Sequence, residues 1–188
     1  MLNYIENLPH VYVSPYSEKG ALMLEISDNT VYCPMANEFS TASQLQRYQE
    51  LENGFWWYTC TQPKIPYPTY HVDDNGTSAR AMFWMAKEYG INGYLTWDTV
   101  AWYDASTLEP LYGIECYENI RTLGDCYGDG ILFYPGKVYG VDGPVHSMRL
   151  PIMRDGLEEY EAISDLEKKY AELSETYVVR ISAKVILN

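Results

Sequence analysis

Four times along this sequence a short run of β-branched and aromatic residues gives way to a stretch with helical spacing, and that alternation constrains the fold more than anything else. The runs are 10–14 (HVYVS), 30–35 (TVYCPM), 55–60 (FWWYTC) and the opening of 91–104 (INGYLTWDTVAWYD). Between the first two, residues 17–26 carry Leu22, Met23 and Ile26 at helical spacing. Thr41 and Gln44 form a capping-box pattern ahead of Leu45, Tyr48 and Leu51, and that helix stops at Asn53-Gly54. A third helix starts at Thr77 or Ser78, lines one face with Met82, Met85, Ala86 and Tyr89, and ends at Gly90. Repeated strand-helix units imply parallel strands with right-handed crossovers, which leaves an open doubly wound sheet or a barrel.

The remaining segments are less regular. Residues 62–70 are proline-rich and read as a loop, and Asp73-Asp74-Asn75-Gly76 is a turn. Residues 105–130 form a long, glycine-rich, acidic stretch, expected to be a functional loop or an inserted hairpin. A short strand follows at 131–134 (ILFY), closed by Pro135-Gly136. A long helix is expected over 147–173, with Met153, Leu157, Tyr160, Ile163, Leu166, Tyr170 and Leu173 recurring at three and four. Residues 176–187 alternate as a strand does, yet Val178, Ile181 and Val185 also suit a helix. The expected organisation is one domain over 1–173 and a tail element at 174–188.

Charge narrows the partners. With 26 acidic against 13 basic residues, a net charge of -13 repels nucleic acid and anionic membrane, so a neutral ligand fits better. The first thirteen residues lack the basic and apolar regions of a secretory signal, no segment has the apolar length of a membrane span, and localisation stays unassigned. Cys33, Cys60, Cys116 and Cys126 make no C-x-x-C pair and have no histidine at zinc-ligand spacing, so no metal site is expected. Cys33 and Cys60 read as buried thiols. Cys116 and Cys126 share one loop, and a bridge between them is open if the protein is exported.

The polar and aromatic residues gather just past strands. Asn37 and Glu38 follow the second, residues 71–74 lie beyond the third, and Trp97 and Asp98 end the fourth, with Trp102 in the irregular segment after it. Flat rings for a pyranose face and acids for its hydroxyls make a sugar-binding rim, and in a (β/α)8 barrel that edge is the catalytic face. Each residue also has a plainer role: a packed tryptophan corner for Trp97 and Trp102, a helix cap for Asn37 and Glu38. Alternation sends Trp56 and Trp57 to opposite faces, so one of them is core; Trp57 and Tyr58 are carried as candidate sugar contacts. A full barrel takes about 250 residues, so 188 residues with four strand-helix units supply about half of one.

The series WWYTC, a proline-rich loop, R-A-M-F-W, G-Y-L-T-W, D-G-I-L-F-Y-P-G and finally S-M-R-L-P-I-M-R-D-G-L-E-E-Y-E resembles the C-terminal half of the family-123 glycoside hydrolases, over roughly residues 30–161. The resemblance implies an α/β fold, the C-terminal half of a (β/α)8 TIM barrel, and cleavage of terminal β-linked N-acetylgalactosamine from glycans or glycolipids without metal or organic cofactor. It also implies chemistry by an adjacent Asp-Glu pair, the Asp orienting the substrate's acetamido oxygen for attack and the Glu serving as acid and base. No Glu directly follows an Asp in these 188 residues. The pair is therefore expected in a missing N-terminal half with which this half-barrel pairs, no residue here is assigned as catalytic, and the chain alone is expected to be inactive. A non-catalytic carbohydrate-binding or structural module is the alternative. An ordinary retaining pair of Glu38 and Asp98, about 5 to 5.5 Å apart, ranks last because the second and fourth strands are not neighbours. Arg149, Arg154, Asp155 and Glu158 are read as structural, tying the last helix to neighbouring loops.

Overall fold

The computed structural model describes residues 10–13, 30–39, 41–52, 54–122 and 125–177. The helix expected over 17–26 and the segment 178–188 lie outside the described residues. Within them four short parallel strands stand side by side in chain order. β1 (His10–Val13) pairs with β2 (Thr30–Cys33) from His10↔Thr30 to Val13↔Cys33. Parallel bridges at Tyr32↔Phe55 and Met35↔Tyr58 carry β2 onto β3 (Trp56–Thr59), which pairs with β4 (Gly93–Thr96). The class is mixed α/β, as the alternation requires.

The helices start and stop where their capping chemistry allows. In α1 (Ala42–Gln49) the Gln44 amide donates to Thr41 Oγ1 at 3.3 Å and the Thr41 amide donates to Gln44 Oε1 at 3.1 Å, the reciprocal pair of a capping box. α2 (Ser78–Tyr89) ends at Gly90, whose φ of +73° is left-handed and favours glycine. A short α3 (Glu115–Glu118) interrupts the long loop. The last helix, α4 (Arg149–Tyr177), runs past residue 173 into the stretch set apart above as a tail, because nothing there breaks its spacing.

One face of the parallel strands holds the core. Phe39, Tyr48, Phe55, Trp57, Met82, Phe83, Ile91, Leu132 and Met153 are all buried in a single cluster between strands and helices. Register explains which strand residues join it. Trp57 lies opposite Tyr94, and the Tyr94 ring meets Phe83 of α2 at 5.8 Å, so Trp57 and Tyr94 share the helix-facing side. Trp56 takes the other face, where it covers Gly93; a Cβ at Gly93 would stand 2.3 Å from the indole. Of the two tryptophans, Trp57 is the core one.

α2 and α4 pack directly on each other. Gly156 permits the close crossing, Arg80 Nε donates to Glu159 Oε2 at 2.7 Å, and Trp84 Nε1 donates to the same oxygen at 2.6 Å. Farther along, Lys87 pairs with Glu167 at 2.6 Å, and the Tyr160 hydroxyl donates to the Ile91 carbonyl at 3.0 Å.

Beyond β4 the pattern changes from parallel to antiparallel. Val100 bridges Ile131, and the amides of Leu132 and Phe133 donate to the Thr99 carbonyl. β5 (Arg121–Thr122) pairs with β6 (Cys126–Tyr127), so the long acidic stretch contains a small hairpin. β7 (Phe133–Pro135) pairs with β8 (Pro144–His146), two residues later than the strand expected at 131–134. The shift follows from Ile131, whose backbone is engaged by Val100 instead. All four cysteines are free thiols; Cys60 is only half-buried. Among the described residues no helix is long and apolar enough to cross a membrane, and no cluster of His, Cys, Asp and Glu has metal-binding geometry.

Candidate functional site

Parallel strands bring their C-terminal ends to one edge, and there the structure gathers the polar groups that the core has no use for. A turn of 3-10 helix at Ala36–Phe39 follows β2, the loop carrying Thr69, Tyr70 and His71 follows β3, and Trp97 follows β4. The centre of the group is Asp129, in the turn Gly128-Asp129-Gly130. Its side chain is fully buried. Its Oδ1 accepts from Trp97 Nε1 at 3.0 Å and from the Tyr70 hydroxyl at 3.2 Å, while Oδ2 has no donor. Burial pushes the Asp129 carboxyl above its usual range, and the Trp97 bond, His71 and Tyr70 oppose that rise. His71 Nε2 donates to the Cys60 carbonyl at 2.8 Å and stands 3.9 Å from Asp129 Oδ1.

Arg149 locks the surrounding loops. Its Nη1 donates to the carbonyls of Tyr70 at 2.8 Å and Gly128 at 2.6 Å, and its Nη2 donates to the carbonyl of Ile131. Burial depresses the guanidinium below its ordinary value. The first residue of α4 thereby ties the helix to the loop after β3 and to the turn bearing Asp129.

Beside His71 opens a cleft of about 210 Å³ lined by Lys64, Ile65, His71, Asp73, Asp74 and Cys126. Lys64 Nζ donates to Cys126 Sγ at 2.7 Å, which raises the ammonium above its usual value, and burial raises the Cys126 thiol. The cleft thus presents both a cation and carboxylates.

The residues singled out from sequence fall into different settings. Trp97 is 39% exposed, with its Nε1 edge anchored on Asp129. Asn37 is half-buried and its Oδ1 has no donor; Glu38 beside it is half-buried, and burial raises its carboxyl. Asp98 is committed locally, its Oδ1 accepting from the amides of Thr99 at 2.6 Å and Val100 at 2.9 Å in an Asx-turn. Trp102 donates through Nε1 to the Phe133 carbonyl at 3.0 Å and lines a separate open cleft with Tyr134 and Lys137. Tyr58 is buried on the sheet face opposite the core. Trp57 is fully buried against Phe39 and Tyr89, on the helix side of the strands. Arg154 pairs with Asp155 at 2.9 Å and Glu158 at 3.6 Å on its own helix rather than with a loop.

Sequence reasoning passed over Tyr70, Asp129, Arg80 and Glu159. The glycines flanking Asp129, both at left-handed φ of +75° and +70°, were the available signal for the first pair. Nothing local marks Glu159 among its acidic neighbours.

The sequence profile described as "Glycoside hydrolase 123, catalytic domain" matches residues 13–166. A search of curated proteins finds no match.

Proposed function

The chain belongs to the glycoside hydrolase 123 catalytic-domain family, and from that premise we propose that it recognises terminal β-linked N-acetylgalactosamine on glycans or glycolipids. The observation that carries the reading is the match over residues 13–166, since a glycoside hydrolase domain implies a carbohydrate substrate. The proposal includes half of a (β/α)8 barrel, supported by four parallel strands in chain order with their helices on one side. Trp97 is the stacking platform, Asn37 Oδ1 and Glu38 accept from sugar hydroxyls or the acetamide, and the cleft at His71 admits the remainder.

Cleavage on this reading is substrate-assisted and retaining, with an Asp-Glu pair that these 188 residues do not contain. The pair belongs to a segment that completes the strand layer. A non-catalytic carbohydrate-binding module is favoured instead by that same absence.

Calorimetric titration of the chain with N-acetylgalactosamine, N-acetylglucosamine and galactose tests recognition. N-acetylgalactosamine binds best, and Trp97→Ala weakens it by about 1 kcal/mol or more, the contribution of a stacked ring beyond its area. Failure to bind any of the three sugars overturns the proposal. Release of the aryl group from an aryl N-acetyl-β-galactosaminide by the chain joined to a segment bearing the Asp-Glu pair separates hydrolase from binding module; a joined protein that binds sugar and releases nothing is the module.

A further inference from the structure

We propose that Asp129 is the positioning residue of the sugar site, its buried carboxylate holding the Trp97 indole in the orientation on which a pyranose ring stacks. The inference rests on the reading of Trp97 as the platform and adds a residue which that reading did not contain.

A tryptophan at the end of a strand, 39% exposed, has two side-chain torsions to lose when a ligand stacks on it. Two contacts remove that freedom in advance. The Nε1–H donates to Asp129 Oδ1 at 3.0 Å, and the benzo edge next to that N–H lies against Gly130, where a Cβ would stand 2.6 Å from Cζ2 and 3.0 Å from Cη2. Asp129 is itself fully buried and hydrogen-bonded. Tyr70 donates its hydroxyl hydrogen to the same Oδ1, the Gly130 amide donates to the Tyr70 oxygen, and Arg149 fixes the carbonyls of Tyr70 and Gly128 on either side. On the other flank a Cβ at Gly128 would meet the Arg149 guanidinium at 2.6 Å, so the turn is clamped between the arginine and the indole.

A fully buried carboxylate is costly unless its partners justify it. The side-chain donors to Asp129 Oδ1, Tyr70 and Trp97, are both aromatic, and Trp97 is partly exposed at the strand ends. Aiming a ring fits that arrangement, because a pre-aligned platform spares the ligand the cost of ordering it.

The test uses the whole chain, labelled with nitrogen-15, with the five indole N–H signals observed by NMR and that of Trp97 assigned by its loss in Trp97→Phe. In wild type the Trp97 indole hydrogen exchanges slowly with solvent. Asp129→Ala moves its resonance, speeds its exchange and lowers affinity for N-acetylgalactosamine, each rate and affinity by about tenfold, as loss of a positioning contact predicts. Asp129→Asn keeps an oxygen acceptor and restores the slow exchange and the affinity. A folded Asp129→Ala with an unchanged indole, or with a freed indole and unchanged affinity, overturns the inference. If Asp129→Ala does not fold, the wild-type exchange rate decides: exchange as fast as in free tryptophan amide overturns it, and slow exchange retained in Asp129→Asn supports it. A protected indole in a wild-type chain that binds no sugar overturns the sugar-site reading and leaves the anchoring of Trp97 by Asp129 standing.

Discussion

Gly156 on α4 lies so close to Phe83 on α2 that a Cβ there would stand 2.7 Å from the ring's Cδ2 and 2.9 Å from the backbone carbonyl oxygen of Arg80. The ring can turn aside, but the helix backbone cannot. In an isolated helix Gly→Ala gains about 1 kcal/mol from propensity, whereas forcing a methyl into a packed contact costs about 1–3 kcal/mol. Gly156→Ala is therefore expected to lower the urea midpoint, and Gly156→Val to lower it further. A raised midpoint for the alanine variant would mean that the two helices part freely.

Trp57 and Trp97 make opposite predictions. Trp57 is fully buried, and Trp57→Ala is expected to cost about 3–5 kcal/mol of stability as other large-to-small core changes do. Trp97→Ala loses one hydrogen bond and a partly exposed ring, and is expected to cost under about 2 kcal/mol. Sugar affinity should follow the reverse order in whatever fraction stays folded. Chemical unfolding alongside titration checks both, and equal stability losses would contradict the placement of Trp57 in the core.

Glu159 ties stability to acid pH. Arg80 first, then Trp84, holds its carboxyl down to about 2, against an ordinary 4.5. A depressed carboxyl contributes stability that is present above the unfolded value and is lost as pH falls through the folded one. The stabilisation is thus expected in full above about 4.5 and to disappear toward about 2. Melting temperatures of wild type and Glu159→Gln should converge over that interval. A constant gap down to pH 2 would show that the α2–α4 clasp does not depend on this charge.

The sequence by itself determined the repeating architecture. Thr41 with Gln44, and Gly90 after Tyr89, are local chemistry: a side chain close enough to reach its own helix's free amides, and a backbone position that favours glycine. Hydrophobic spacing likewise located the long helix, since burial of a stripe needs no knowledge of what covers it. Local patterns also bring Asn37 and Trp97 past strand ends, and parallel order then carries them to one edge.

Only the tertiary structure decided which residues at that edge act together. Alternation stated that Trp56 and Trp57 differ in face but not which is inward; the pairing of Trp57 with Tyr94, and of Tyr94 with Phe83 on α2, settled it. Asp129 is 59 residues from Tyr70 and 32 from Trp97, so no window along the chain relates them. Arg149, from the start of the last helix, bonds to both the Tyr70 loop and the Asp129 turn. A site assembled by long-range hydrogen bonds leaves few local traces, because each donor and acceptor is an ordinary residue until folding removes water from around it.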